Sequence, residues 1–474
     1  MKPMYTRMKH LFDTIIVDEG VKIKSKSSMQ SVAVRSLHAK NKLLLSGSPI
    51  KGWISDAYFL LHWTLGNGSP RFPYQYKGGT EKFLDDFGVY EYVAEEFRKS
   101  LSKGRKKLLP EIGNLHLLWK LFAPSIIRRT KDETGETLVD KNVHRIKVNF
   151  TVNQKNAYDW WIHNFTDWFK ASHHTDMDDD QVALREMILG LLWKLRLVAT
   201  TPLSRLLPGH PEPGMEITFF PGVQGESNYT EKTLFVLTKA KEVVDRGEQL
   251  VIFSSLQDNM RFLKEMFDRF RIKAEVANAN TTPKERALLI SDFKRAKFSV
   301  LVAGTQAVNL GHSLENANNV IMTDYEWDHS TTRQAIDRVH RFTSKKDVNV
   351  YLLYTDGGID QKQLFEIIDR KGQSSDLALD GKLLDQDEVQ VDYFKIAREI
   401  MNNNVLGTDG LLSEKDVERQ IYELFRPRTS ALPPVLKVGV EYDADDAPKE
   451  LVYRVSTRPS IRTIVTVNQM NIFG

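Results

Sequence analysis

Helices and short apolar strands alternate between Glu231 and Gly304, and this alternation constrains the fold more than any other feature of the sequence. The runs QLVIFSS, KAEVANA and SVLVAG are strand-like, and amphipathic segments such as LQDNMRFLKEMFDRF separate them. Alternation at these distances is typical of βαβ units, whose strands form a parallel sheet. The sequence therefore predicts an α/β fold in this half of the chain.

A second α/β unit is predicted near the start of the sequence. The run DTIIVD is rich in β-branched residues and leads into Asp18 and Glu19, and a second strand, Lys42–Leu45, ends in the small-residue tip SGSP. An acidic pair at the carboxyl end of a buried strand suits a metal-bound nucleotide, since one carboxylate can hold Mg²⁺ and the other can orient a water. Acidic residues at a strand end are also a common turn feature, so the pair alone does not define a site.

The stretch Val300–Arg341 combines a buried strand, a glycine-bearing loop, a second strand at Asn319–Thr323 and a polar helix. We expect the helix to carry a set of polar and cationic residues, namely Gln334, Asp337, Arg338, His340 and Arg341. Residues three and four apart share one face of a helix, so most of this set can form one cation-rich surface. A solvated helix face is the ordinary explanation of such a cluster. The position after parallel strands favours ligand binding, because such helices point their N-terminal ends at the binding crevice.

Composition excludes several classes of protein. At 474 residues the chain is long enough for two to four domains, and it contains no cysteine, which excludes disulfides, thiolate catalysis and cysteine zinc sites. No apolar run is long enough for a bilayer and the N-terminus lacks a signal-peptide core, so we expect no membrane contact and a cytoplasmic (bacterial or viral) or nuclear location. The net charge of +4 is too balanced to indicate a polyanion partner. Any nucleic-acid surface must come from local clusters.

Four motifs appear in a fixed order: DEG, SGSP, GHSL and QAIDRVHR. This order resembles motifs II, III, V and VI of superfamily 2 helicases, and most closely the Swi/Snf-type DNA translocases. The segment IIRRTK is similar to the one that precedes the family's crossing between lobes, and Gly190–Pro202 is similar to the end of its second helical insertion. The resemblance covers roughly residues 10–375.

The resemblance implies an α/β fold of two RecA-like lobes with parallel sheets, the first lobe incomplete, together with helical insertions and a small C-terminal α+β tail. The implied division of the chain is residues 1–55 for the end of the first lobe, 56–127 for a helical insertion, 128–152 for the lobe-crossing segment, 153–230 for the second insertion and linker, 231–380 for the second lobe, and 381–474 for the tail.

The resemblance also implies a site for ATP and Mg²⁺ in the cleft between the lobes. Asp18 would coordinate Mg²⁺, Glu19 would polarise the attacking water, and Arg338 and Arg341 would act as catalytic arginines supplied by the second lobe. The remaining implied ATP-binding residues are Gln334, Asp337 and Gly311. The implied contacts to double-stranded DNA are Ser46, Ser48, His312, Ser313, Lys24, Arg128 and Arg129.

Three departures from the family pattern limit these expectations. Gly20-Val21 follows the acidic pair where Ala-His or Gly-His is usual, and His312-Ser313 stands where Leu-Asn is usual. No GxxxxGK[ST] phosphate-binding loop occurs anywhere in the sequence. We therefore expect about half of the first lobe, including the Walker A loop, to come from a separate polypeptide or a missing segment, and the isolated chain to be an inactive ATP hydrolase.

Two other functions remain open at this stage. The chain could be a catalytically silent DNA-binding or assembly subunit that keeps motor-like lobes as a scaffold, although a scaffold has no physical need for both acids and both arginines. An RNA-directed helicase of the same superfamily is the other alternative. The IIRRTK segment and the two helical insertions favour a duplex-DNA translocase over that alternative.

Overall fold

The structure is a computed structural model of the chain. It describes most of the polypeptide, in the ranges 4–24, 28–47, 54–65, 69–92, 106–129, 138–172, 180–202, 229–305, 313–327, 329–365, 400, 408, 410–426, 438–441 and 451–455.

The described strands, in chain order, are β1 (Thr14–Val17), β2 (Asn41–Leu44), β3 (Gly88–Tyr92), β4 (Lys106–Ile112), β5 (Lys141–Val148), β6 (Leu250–Ser254), β7 (Ala274–Ala277), β8 (Val300–Gly304), β9 (Asn319–Met322), β10 (Val348–Thr355), β11 (Val438–Glu441) and β12 (Leu451–Val455).

The described helices are α1 (Met4–Arg7), α2 (Met29–Ser36), α3 (Ile54–Leu65), α4 (Gly79–Phe87), α5 (Leu115–Phe122), α6 (Val152–Ser172), α7 (Asp180–Thr200), α8 (Glu231–Asp245), α9 (Gln257–Arg269), α10 (Pro283–Lys294), α11 (His329–Asp337), α12 (Ile359–Lys362) and α13 (Glu414–Leu424). None of these helices combines the length and apolar character needed to cross a membrane.

Strand β5 and the strands of the second half of the chain build one eight-stranded sheet with the order β11-β12-β5-β10-β9-β6-β8-β7. Across the sheet, neighbouring strands in the run β5-β10-β9-β6-β8-β7 are all parallel. Strands β6, β8 and β9 are buried along their whole length, as expected for a parallel sheet covered on both faces. The predicted α/β fold with a parallel sheet is confirmed.

Local sequence signals fix where the helices of this sheet begin. The hydroxyl of Thr230 accepts the backbone N–H of Thr233 at the start of α8. Thr282 and Glu285 form a reciprocal capping box at the start of α10, where Pro283 occupies the first helical position. These contacts satisfy backbone donors that have no partner within the helix.

The first sheet consists of β1 and β2, which pair in parallel with Val17 opposite Leu44. Helix α2 and a 3₁₀ turn at Gly20–Ile23 connect the two strands. The second strand begins and ends one residue earlier than the sequence predicted. Ile16, Leu43 and Leu45 are exposed, so an apolar part of this small sheet faces away from the described protein.

Helices α3, α4 and α5 form a separate aromatic core beside the first sheet. Rings from Tyr58, Phe72, Phe83 and Phe87 lie in contact, with centroids 4.8–6.0 Å apart. Ring pairs at these spacings add to the stabilisation from area burial. The crowded aromatics on α3 therefore serve packing, as their spacing predicts.

The C-terminal tail is built into the second lobe rather than standing apart. The segment SEKDVERQIYELF predicts an amphipathic helix with Ser413 as its N-cap, and the structure confirms this prediction. Val417 and Ile421 of this helix, α13, are fully buried in the core of the large sheet. Strand β12 pairs with β5, and β11 pairs with β12 in the antiparallel direction. The run IRTIVTV, whose β-branched residues predict a third strand of the tail, lies outside the described residues.

Candidate nucleotide site between the two sheets

The carboxyl ends of β1 and β2 bring the first two motifs together. The backbone N–H of Leu45 donates to the carbonyl of Val17 at 2.9 Å, and the N–H of Gly20 donates to the carbonyl of Leu45 at 2.8 Å. These bonds place Asp18 and Glu19 at the same sheet edge as Ser46, as expected for parallel neighbours. Such an edge is where parallel sheets bind ligands.

Glu19 adopts a left-handed backbone conformation, with φ 51° and ψ 48°. A non-glycine residue rarely adopts this conformation, which costs on the order of 1 kcal/mol or more and is frequent at functional sites. The backbone N–H of Glu19 donates to Oδ1 of Asp18 at 2.9 Å. The strained residue thus belongs to a tight acidic turn at the edge of the sheet.

Gly20 follows this turn at a position that excludes a side chain. A Cβ atom built on Gly20 would lie 2.1 Å from Cγ of Leu44, which is inside the van der Waals contact distance. By contrast, a Cβ built on Gly47 would meet no atom within 4 Å. At Gly20-Val21 the sequence lacks the family's histidine but keeps a glycine. Close packing against Leu44 of β2 requires that glycine.

The expected helix of the motif VI region ends earlier than the sequence predicted. Helix α11 ends at Asp337, so Arg338, His340 and Arg341 lie in the turn after its C-terminal end. The N–H of Arg341 donates to Oγ of Ser344 at 3.0 Å, which takes it out of the helical ladder. The prediction that Gln334, Asp337, Arg338 and Arg341 share one face of a helix was wrong for the two arginines, which lie beyond the helix.

The two catalytic arginines predicted from the sequence do lie together. The pKa of Arg338 is lowered by burial of its side chain and then by the adjacent cation Arg341, while the carboxylates of Glu19 and Asp337 raise it. Glu19 belongs to the first sheet and Arg338 to the second lobe. The structure therefore brings the acidic turn and the arginine pair within electrostatic range of each other.

The motif V region is joined to the arginine turn by a backbone bond. The N–H of Leu314 donates to the carbonyl of Arg338 at 2.8 Å. The hydroxyl of Ser313 donates to Glu315, which also accepts from the hydroxyl of Thr343 at 2.7 Å. These hydrogen bonds lower the pKa of Glu315. Gly311 and His312 lie outside the described residues.

Gln334 and His340 differ in exposure. Gln334 is partly exposed on α11, whereas His340 is buried and its Nε2 lies 2.8 Å from the carbonyl oxygen of Val139, which precedes β5. The histidine thus anchors the arginine turn to the sheet, and Gln334 remains accessible.

The predicted DNA contacts are dispersed. Nζ of Lys24 forms an ion pair with Oδ2 of Asp56 at 2.8 Å, which links the end of the 3₁₀ turn to α3. Arg129 is exposed and donates to the carbonyl of Arg128 at 2.9 Å. Ser46 is partly exposed and Ser48 lies outside the described residues. The DNA-binding role of this set stays a prediction.

Two buried ion pairs at the carboxyl edge of the large sheet were not predicted from the sequence. Nζ of Lys232 contacts Oδ2 of Asp360 at 2.6 Å, and Nη2 of Arg196 contacts Oδ1 of Asp324 at 2.9 Å. The first pair joins α8 to α12 and the second joins α7 to the end of β9, and hydroxyl and backbone donors surround both carboxylates. Their sequence signal is weak, because nothing in the spacing of a single lysine or arginine distinguishes a buried partner from a solvated one.

The donor set fits a metal-bound nucleotide only in part. Asp18 is exposed, and no group of three or more His, Asp and Glu side chains within the described ranges is arranged to hold a metal ion. A single carboxylate is nevertheless the usual protein contribution to Mg²⁺ that is held mainly by phosphates and waters. The paired guanidiniums of Arg338 and Arg341 supply the matching positive charge.

Two parallel sheets, with an acidic turn at the edge of the first and an arginine pair in the turn after α11 beside the second, are the arrangement that the helicase motifs predicted. A SNF2-related domain model matches residues 2–202, and a model described as the helicase conserved C-terminal domain matches residues 234–343. Together the two models match most of the chain. The chain belongs to the Swi/Snf-type superfamily 2 helicases, as its motifs predicted.

Curated relatives match the chain at moderate identity. The ISWI chromatin-remodeling complex ATPase ISW2 of Saccharomyces cerevisiae is 26% identical over 386 residues, covering 78% of this chain and 30% of that protein. The DNA excision repair protein ERCC-6-like of Homo sapiens is 27% identical over 388 residues, covering 74% of this chain and 30% of that protein. The chain thus spans less than a third of the length of these relatives.

A solved structure, the Sulfolobus solfataricus SWI2/SNF2 ATPase core in complex with dsDNA, aligns at 21% identity with a TM-score of 0.40. The alignment covers 86% of this chain and 73% of that one. The fold described above rests on strand order and register, to which this superposition adds nothing.

Proposed function

We propose that the chain is the C-terminal portion of an ATP-dependent DNA helicase or translocase that couples ATP hydrolysis to movement on double-stranded DNA. The observation that carries the proposal is the electrostatic proximity of Glu19 in the first sheet to Arg338 in the second lobe. Acids and arginines that converge from two lobes suit phosphoryl transfer, which depends on positioning and charge neutralisation.

Each residue of this cleft has a separate role in the proposal. Asp18 holds Mg²⁺, which neutralises phosphate charge when ATP is bound. Glu19 orients the attacking water, and its left-handed backbone fixes the direction of its side chain. Arg338 and Arg341 stabilise negative charge that develops on the phosphate, Gln334 contacts the phosphate, and Asp337, whose carboxylate raises the pKa of Arg338, holds that arginine.

A further segment would complete the site. The sequence has no GxxxxGK[ST] loop, and Ile16, Leu43 and Leu45 are 62%, 47% and 50% exposed on the first sheet. Unpaired strand edges and exposed apolar side chains on a small sheet favour pairing with additional strands. We propose that a segment carrying the Walker A loop covers this surface, on a separate polypeptide or elsewhere in a longer chain, and that hydrolysis depends on it.

A change in the bound nucleotide would alter the contacts to DNA through the motif V region. The bond between Leu314 and Arg338 joins the arginine turn to Ser313, whose hydroxyl contacts Glu315. A shift of Arg338 towards a phosphate would therefore move the backbone around Ser313. Short polar side chains and backbone amides at such positions suit contacts to DNA phosphates.

A catalytically silent DNA-binding or assembly subunit is the second candidate. The incomplete first sheet and the lack of a phosphate-binding loop favour it. The strained Glu19 and the clustered arginines favour the motor, because a scaffold does not need backbone strain beside two adjacent cations.

The two candidates are separated by Arg341→Ala in the chain combined with its Walker A segment. If the chain is part of a motor, Arg341→Ala should lower DNA-stimulated ATP hydrolysis by about 10³-fold, the usual effect of removing a catalytic arginine. The DNA affinity of this variant should stay within about twofold. Arg419→Ala is the matched control, because Arg419 is exposed on α13, where it pairs with Asp416 of the same helix at 2.8 Å. Equal hydrolysis rates for the two variants would support the silent subunit.

A further inference from the structure

A cavity of about 590 Å³ lies between α2, the start of β2 and α3 in the first lobe. Lys42, which lines it, is the second residue of β2 and stands opposite Ile15. The acidic turn and Ser46 lie at the other end of the same strands, roughly 13 Å away at about 3.3 Å per residue. The cavity is therefore separate from the nucleotide cleft.

The cavity is lined by cations without carboxylates. Its described lining includes Arg35, His38, Lys42 and His62, and no Asp or Glu. The surrounding sequence shows the same bias, since Gly20–Ser55 contains no acidic residue. An unbalanced cluster of this kind attracts anions.

These cations are partly removed from water. Burial lowers the pKa of Lys42, and burial also lowers the pKa of Arg35, with Tyr58 acting in the opposite direction. Burial lowers the pKa of His62 as well, and the positive charges of Arg35 and Lys42 add to that effect. A desolvated cation gains more from an anion than one in open solvent.

Aromatic side chains hold the two permanent cations in place. The guanidinium of Arg35 lies 4.8 Å from the ring centroid of Phe59, and Nζ of Lys42 lies 5.4 Å from that of Trp63. One guanidinium nitrogen of Arg35 donates to the Phe59 carbonyl at 3.4 Å. Arginine has five N–H donors, so most of its donor capacity is available to a ligand.

Trp63 adds a buried donor to the same cavity. The residue is 3% exposed, and its Nε1 has no hydrogen-bond partner in the part of the chain that the structure describes. A buried indole N–H usually has a partner, because leaving it without one costs about 1–3 kcal/mol. The ring that carries this donor lines the cavity, so the indole resonance reports on a ligand that contacts the ring.

We propose that this cavity binds the phosphate group of a small phosphorylated molecule, with Arg35 and Lys42 as charge partners and the Trp63 ring in contact with the ligand. Two desolvated cations match the charge of a phosphate monoester, which is about −2 at neutral pH. A phosphodiester in duplex DNA carries one charge and remains hydrated on the outside of the helix. The volume leaves room for an organic group against the aromatic wall.

The test uses the full chain labelled with ¹⁵N-tryptophan and inorganic pyrophosphate as the probe. The indole resonance that Trp63→Phe removes should shift as pyrophosphate is added. Calorimetry should show an affinity at least about tenfold weaker for Lys42→Gln and for Arg35→Gln, as expected for a charge-assisted hydrogen bond. Lys42→Arg should retain binding within several-fold.

Two controls separate this site from other sources of binding. Lys40→Gln makes the same charge change at an exposed position two residues from Lys42 and should bind like the unmodified chain. Arg341→Ala should also leave the Trp63 shift unchanged, because it alters only the nucleotide cleft. Circular dichroism of each variant verifies folding.

The opposite results would overturn the proposal. It fails if pyrophosphate leaves the Trp63 resonance unmoved, or if folded Lys42→Gln and Lys40→Gln bind equally. It also fails if a short DNA duplex shifts the Trp63 resonance and pyrophosphate does not, since the cavity would then be part of a DNA surface.

Discussion

Glu231 makes the stability of the second lobe depend on pH. The residue begins α8 and is 2% exposed. Its Oε2 accepts the backbone N–H of Asn149 at 2.8 Å and the side-chain amide of Asn149 at 3.4 Å. Burial raises the pKa of Glu231 to about 7, although both bonds to Asn149 lower it. Desolvation of the carboxylate thus outweighs the hydrogen bonds that favour its charge.

The size and sign of the effect follow from this pKa. The folded lobe binds a proton at Glu231 more tightly than the unfolded chain, whose pKa is 4.5, so stability is highest at low pH and is lost as pH rises through 7. At about 1.4 kcal/mol per pH unit, the whole difference corresponds to roughly 3 kcal/mol. Between pH 5 and pH 8 the loss is about 2.5 kcal/mol.

Urea unfolding of the chain and of Glu231→Gln at pH 5 and pH 8 measures this loss. The glutamine keeps an acceptor for Asn149 and carries no charge, so its stability should exceed that of the unmodified chain by about 3 kcal/mol at pH 8 and by less than about 1 kcal/mol at pH 5. Glu242→Gln, on the exposed face of the same helix, should stay within about 0.5 kcal/mol at both values. A stability gain for Glu231→Gln that is the same at pH 5 and pH 8 would refute the reasoning.

Two further substitutions test packing and buried charge. Gly20→Ala should lower the free energy of unfolding by about 1–3 kcal/mol because its Cβ meets the leucine at the end of β2, whereas Gly47→Ala, which meets nothing, should have little effect. Lys232→Met should cost about 3–5 kcal/mol because it leaves Asp360 buried without its cation, and a cost as small as that of Lys239→Met on the same helix would contradict this.

The alternation of helices and apolar strands was sufficient to predict the parallel sheet. Strands β6, β8 and β9 are fully buried because each consists of consecutive apolar residues, and their ends differ from the predicted ones by a residue or two. The position of α13 was not predictable in this way. Its amphipathic pattern predicted a helix, but its docking on α8 depends on packing between residues far apart in sequence.

The site was predictable as a set of residues but not as a geometry. The order of motifs led to Asp18, Glu19, Arg338 and Arg341, yet the helix pattern wrongly extended α11 past Asp337. The error arose because Oγ of Ser344 accepts the backbone N–H of Arg341, which then cannot join the helix. The spacing of apolar and polar residues in the sequence carries no information about such a bond. The cations of the cavity were also missed, since the sequence does not tell a solvated lysine from a partly buried one.

The central claim is that the nucleotide cleft of this chain is completed by a Walker A segment. The direct measurement is DNA-stimulated ATP hydrolysis by the isolated chain and by the chain mixed with a polypeptide that carries the segment. We expect no hydrolysis above background from the chain alone, and DNA-dependent hydrolysis from the mixture that Glu19→Gln abolishes. Robust hydrolysis by the isolated chain would contradict the account.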